Sequence, residues 1–129
     1  MILEFPFPDP VLFPNRTAHY QVKSKARKKQ RQDAFYLSLA AGWPKFDEGT
    51  IPLTVVFCPP DNRHRDWDGC CSAIKGLIDG VCDHWKINDV RFRPITIDFG
   101  AVRKNGCVVL RVNPKEIQMT NQSAEGIGE

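Results

Sequence analysis

The order of local sequence patterns predicts an α+β fold, β-α-β-α-β-β, with two helices packed on a mixed sheet. Three observations carry this. Ile51 to Cys58, IPLTVVFC, is a β-branched and aromatic run that stops at Pro59-Pro60. Thr17 to Ala41 has apolar residues at helical spacing and is closed by Gly42 and Pro44. Asp68 to Cys82 shows a second helical period with one clean apolar face.

The remaining elements follow in order. Leu3 to Pro8 reads as a short strand with an edge-tolerant proline, and a Pro-rich loop follows it. Lys45 to Thr50 is a turn. Beyond the second helix, Asn88 and Asp89 lie in a loop. Ile95 to Val102 and Cys107 to Val112 are expected as strands of a hairpin turned at Asn105-Gly106. Residues 1–114 would form one domain, and the polar stretch 115–129 a loosely held tail. With 129 residues, one core is affordable and two are not.

Composition narrows the class. No apolar run approaches the ~18 residues that span a bilayer, and the N-terminal stretch does not read as a signal peptide. A cytoplasmic protein is the expectation, with no membrane partner. Five cysteines without a secretory leader argue against a disulfide framework. Cys82 and His84 are too close together for a zinc pair, and Cys70 and Cys71 are adjacent.

Charge is unevenly spread. Arg16, Lys23, Lys25, Arg27, Lys28, Lys29 and Arg31 are seven cations in a stretch with no acid. The chain totals +3, so removing these seven leaves −4 for the rest. A basic block on an acidic remainder points to a polyanionic partner. The plain alternative is a solvated helix face.

The chemistry-bearing stretch is NRHRDWDG, Asn62 to Gly69. With Asp68 as zero on a helical wheel, Lys75 falls near about −20° and Asp79 near about 20°, whereas Asp66 would point near about 160°. Asp66 can therefore serve with Asp68 only from extended geometry ahead of the helix. There, two carboxylates can share one space at a strand-to-helix junction. Hard oxygen donors of this kind suit Mg²⁺ or Mn²⁺, and Asp89 could supply a third. Arg63 and Arg65 can either balance these acids or grip a phosphate in fork geometry.

Pro59 to Val81 resembles the signature of the RusA family of Holliday-junction resolvases, small endonucleases of bacteria and their phages. In its phage-type spacing the family has arginines leading into D-x-D-N, a lysine seven residues after the second Asp, and then an Asp-Gly. Here Lys75 is seven after Asp68, and Asp79-Gly80 follows. The opening LEFPFPDPVLFPNRTAHYQVKSKARK is similar to the family's strand, Pro-rich turn and basic helix. The resemblance spans about residues 3 to 112.

It implies a RusA-like fold and a homodimer on a branched DNA substrate, the four-way junction, with one symmetric cut per subunit during recombination and repair. Asp66, Asp68 and Asp89 would bind the metal, and Lys75 would be the catalytic lysine. The arginines and the basic helix would contact DNA. Asp79 reads as structural, pairing with Lys75. Two departures stand out: Gly69 replaces the usual Asn, and Asn88 stands where the family often has Asp. A non-catalytic DNA-binding protein of the same fold is the alternative that these departures favour.

Overall fold

A computed structural model describes residues 1–118. Strand β1 (Ile2–Pro6) leads through a 3₁₀ turn at Pro10–Leu12 into helix α1 (Tyr20–Ala41). Then come β2 (Trp43–Lys45), β3 (Ile51–Cys58), α2 (Trp67–Ala73) and α3 (Lys75–Trp85). A 3₁₀ turn at Asp89–Arg91 precedes β4 (Phe92–Phe99), β5 (Cys107–Arg111) and β6 (Glu116–Gln118). Helix α1 starts later than Thr17. The His19 ring caps it, Nδ1 accepting from the Gln21 N–H at 3.1 Å. Gly42, at φ 122°, ends it in a conformation that favours glycine.

The main sheet is mixed, in the order β1-β5-β3-β4. β3 and β4 run parallel, joined by the α2–α3 crossover, and the other pairs are antiparallel. Two rows of apolar side chains cross the sheet, Leu3-Leu110-Val55-Ile97 and Phe5-Val108-Phe57-Phe99. Most of these residues belong to the core that also takes in Ile74, Leu77 and Val81 of the crossover.

The expected β4–β5 hairpin is not formed, because β3 lies between those strands. Asn105 and Gly106 do make a tight turn, with the Gly106 N–H donating to the Arg103 carbonyl at 2.8 Å. Both residues have positive φ. The turn reverses the chain but does not choose its neighbour. β3 buries Ile51, Leu53, Val55 and Phe57, and such a strand gains most from pairing on both edges. Part of the stretch expected as a loosely held tail is a strand. Glu116–Gln118 pairs antiparallel with β2, while 119–129 lie outside the described residues.

The second helix is not continuous from Asp68 to Cys82. It breaks at Ile74, whose N–H reaches back only to Cys71. The cause lies on α1. Gln30 donates from Nε2 to the Ala73 carbonyl at 2.9 Å, and its Oε1 accepts from the Leu77 N–H at 3.2 Å. One amide thus takes both ends of a hydrogen bond that an unbroken helix would make directly, and side-chain insertion of this kind kinks helices. Gly76 makes the room: a Cβ there would lie 2.7 Å from Gln30 Oε1. One turn on, a Cβ at Gly80 would lie 2.2 Å from the Arg31 carbonyl oxygen. Bare glycines therefore let α1 and α3 approach backbone to backbone.

Candidate functional site

The loop from Pro59 to Asp66 is organised by Asp61. Its carboxylate accepts from the Arg63 N–H at 3.0 Å and pairs with Arg65 Nη1 at 3.0 Å and Arg63 Nη2 at 3.6 Å. The Arg63 N–H bond and the Arg65 pairing hold its carboxyl below the usual range. Arg65 also donates to the Asp61 and Arg63 carbonyls and lies over the Phe7 ring. Its side chain is only 14% exposed, against 74% for Arg63. So Arg65 holds the loop together, whereas Arg63 extends into solvent. Neither arginine pairs with Asp66 or Asp68. Sequence reading overlooked Asp61. Its signal was an Asp two residues before Arg63, the spacing of an Asx turn.

Asp66 is extended, at φ −90° and ψ 154°, immediately ahead of α2, as the wheel arithmetic required. Its side chain makes no capping bond. It turns instead toward Asp68 in the first helical turn. A shared hydrogen bond with Asp66, and then the repulsion of its charge, push the Asp68 pKa up, opposed by the Gly69 N–H. Gly69 underlies the arrangement, since a Cβ there would meet Asp66 Oδ1 at 2.7 Å. Trp67, between the two acids, is exposed.

Asp66 lines a cleft of about 600 Å³ with Arg16, Arg63, His64 and Arg65 and with two further acids, Asp9 and Asp61. Lys75 and Asp89 line a second pocket, of about 290 Å³, with Cys71, Ile78 and Asp79. Asp89 therefore lines a different pocket from Asp66. Among the described residues, no three or more His, Cys, Asp or Glu side chains come together as a metal cage. The helix break explains part of this, because Lys75 starts a new helix and the wheel through Asp68 stops at Ile74. Cys71 lies between the halves: it lines the Lys75 pocket, and its thiol is pushed up by burial and then by the Asp68 charge.

The basic helix divides into paired and unpaired cations. Arg31 grips Asp83 through Nε at 2.7 Å and Nη2 at 2.9 Å, and reaches Asp79 at 4.0 Å. Asp79 thus faces Arg31 rather than Lys75. The Arg31 bond holds the Asp83 carboxyl below its usual range. Lys29 pairs with Asp33 at 2.7 Å. Lys23, Lys25, Arg27 and Lys28 form no ion pair among the described residues. No helix among those residues is long and apolar enough to cross a membrane.

No protein-family profile matches the chain. A protein of Xylella fastidiosa strain Temecula1, described as uncharacterized, is 32% identical over 122 residues. The match covers 92% of this chain and 80% of that protein. The glycine-mediated helix contact, the split crossover and the paired carboxylates therefore belong to a chain that is a member of the same family as this Xylella fastidiosa protein.

Proposed function

We propose that the chain is a metal-dependent endonuclease acting on branched DNA, with the four-way junction implied by its RusA resemblance as the substrate. The observation that carries this reading is the Asp66–Asp68 carboxylate pair, of which Asp66 lines a cleft with Arg16, Arg63 and Arg65. Two carboxylates this close resist joint ionisation, and a divalent cation relieves that repulsion. One or two carboxylates plus substrate phosphate is an ordinary donor set for Mg²⁺. The residues therefore fit Mg²⁺ or Mn²⁺, with Asp66 and Asp68 as its protein ligands. Such a cation supplies an activated water and neutralises charge developing on phosphorus.

The other groups have separate tasks. Arg16 and Arg63 would hold the phosphodiester in the cleft, while Arg65 keeps the loop in shape. Unpaired Lys23, Lys25, Arg27 and Lys28 would take the flanking backbone. Lys75 and Asp89 sit in the neighbouring pocket, and the resemblance gives them roles as catalytic lysine and third carboxylate. It also implies a homodimer, one cut per subunit.

A second reading, a DNA-binding protein of this fold without turnover, is favoured by Asp89 lining a different pocket from Asp66. One experiment separates the two. A labelled synthetic four-way junction is incubated with the protein, with and without Mg²⁺ or Mn²⁺, beside Asp68→Asn. Paired metal-dependent nicks by the wild type, and binding without cutting by the variant, are expected. Tight binding without cleavage in either metal would remove the enzyme reading.

A further inference from the structure

The five cysteines are free, but two of them face each other. Cys58 ends β3 and Cys107 begins β5, and the strand register sets them directly opposite. Directly opposed antiparallel residues have Cα atoms ~4.5 to ~5.5 Å apart, inside the ~4.4–6.8 Å that a disulfide spans. After burial, the charge of the nearby Cys58 thiol raises Cys107 above its usual range. Arg103 donates from Nη1 to Cys107 Sγ at 2.9 Å. Gly100 leaves space for the sulfur, since a Cβ there would lie 2.8 Å from Cys58 Sγ. Both residues lie just under the surface, 7% and 8% exposed.

The other thiols are placed differently. Cys70 is fully buried, and burial pushes it up to about 11. Cys82 is pushed up to about 12 by burial and by Asp89, Asp79 and Asp83. Cys71 faces the Asp68 charge. Burial raises Cys107 as well, opposed by the Arg103 guanidinium, which donates directly to its sulfur; Arg65 opposes the rise at Cys70 by charge alone.

We propose that Cys58 and Cys107 are a redox modification site, closing to a reversible disulfide with a hydroperoxide as oxidant. The Cys107 sulfur, its thiolate held by Arg103, attacks one peroxide oxygen. The O–O bond breaks, and the departing oxygen leaves with a proton as water or alcohol. The resulting sulfenic acid is attacked by the Cys58 sulfur. The S–O bond breaks, the S–S bond forms, and the hydroxyl leaves as water with the Cys58 proton. Two thiols and one hydroperoxide thus become one disulfide, one water and one water or alcohol. A dithiol reductant reverses the change.

The cross-link has a defined mechanical effect. Cys58 is the last strand residue before the Pro59–Asp66 loop, and the Arg103 N–H already donates to the Pro59 carbonyl at 3.0 Å. Oxidation would fasten the root of that loop to β5. The proposal does not depend on nuclease activity.

The test uses the full chain. The reduced protein is treated with hydrogen peroxide, and its intact mass and non-reduced peptide map are measured. The expected result is a loss of two hydrogen masses, a linked Cys58–Cys107 peptide, full reversal by dithiothreitol and a higher thermal midpoint when oxidised. Cys71→Ser and Cys82→Ser should keep the linkage, and Cys107→Ser should lose it. A linkage mapped to another pair, or stepwise oxygen addition without linkage, would overturn the proposal. The wild-type map decides between these even if Cys107→Ser fails to fold.

Discussion

The Asp66 carboxylate occupies the space where a side chain at Gly69 would begin, with its Oδ1 2.7 Å from the position of a Cβ. Gly69→Ala should turn Asp66 away, since the clashing atom is the end of a side chain free to rotate. Asp68 then loses the neighbour that raises its pKa, which should fall toward the ordinary 3.8. The direction for stability follows. A carboxylate with a raised folded pKa keeps its proton longer when folded, so the fold loses stability as pH rises from 3.8 through the raised value. The variant should flatten that loss. Asp61 and Asp83 have lowered pKa values, so their stabilisation is present above 3.8 and fades as pH falls. Carbon-13 titration of the Asp side chains reads all three directions.

Gln30→Ala removes two hydrogen bonds across the break at Ile74. A stability loss of about 1–2 kcal/mol in urea unfolding is expected, each bond contributing ~1 kcal/mol. Gln32→Ala, at an exposed position on the same helix, should stay within about 0.5 kcal/mol of wild type. Equal effects of the two would contradict a wedge at Gln30.

Gly80→Ala sets two expectations against each other. Alanine favours a helix interior over glycine by ~1 kcal/mol. At this position, however, its Cβ would lie 2.2 Å from the Arg31 backbone oxygen. No rotamer relieves a backbone clash, so the helices must separate. A net loss of about 1–3 kcal/mol is expected, measured by the same unfolding curves.

The cations of α1 should divide into two kinds. Lys28→Ala should lower the slope of log affinity against log salt for DNA by about 0.9, the value of one lost phosphate contact. Arg31→Ala should leave that slope nearly unchanged, because Arg31 is occupied by Asp83. Its cost should appear instead as a coupling of up to about 1 kcal/mol with Asp83 in a double-mutant cycle.

Features set by neighbouring residues were legible in the sequence. The β3 span, the Gly42 stop and the extended backbone at Asp66 follow from local pattern and wheel angles. Features set at a distance were not. Asn105-Gly106 signals a turn, but sheet order is decided by which strand buries both edges. The break at Ile74 is caused by Gln30, on a different helix, and no periodicity within Asp68 to Cys82 contains it. Asp89 is assigned as a third carboxylate only by resemblance; it lies on a 3₁₀ turn and lines the same pocket as Lys75, a placement no local pattern contains. Glu116–Gln118 is a three-residue run with a single apolar side chain, Ile117, and it becomes a strand by pairing with Trp43–Lys45.

Gln30 gives the basic helix a mechanical role. It lies between Lys29 and Arg31, so the rod that carries the cations also carries the wedge between the two halves of the crossover. A polyanion that drew α1 along its axis would pull on Ala73 and Leu77 through the same amide. Those residues border the short segment bearing Asp66 and Asp68 on one side and Lys75 on the other. If α1 takes up an anion as proposed, grip on it and the spacing of the acidic pair from the lysine would be coupled through Gln30.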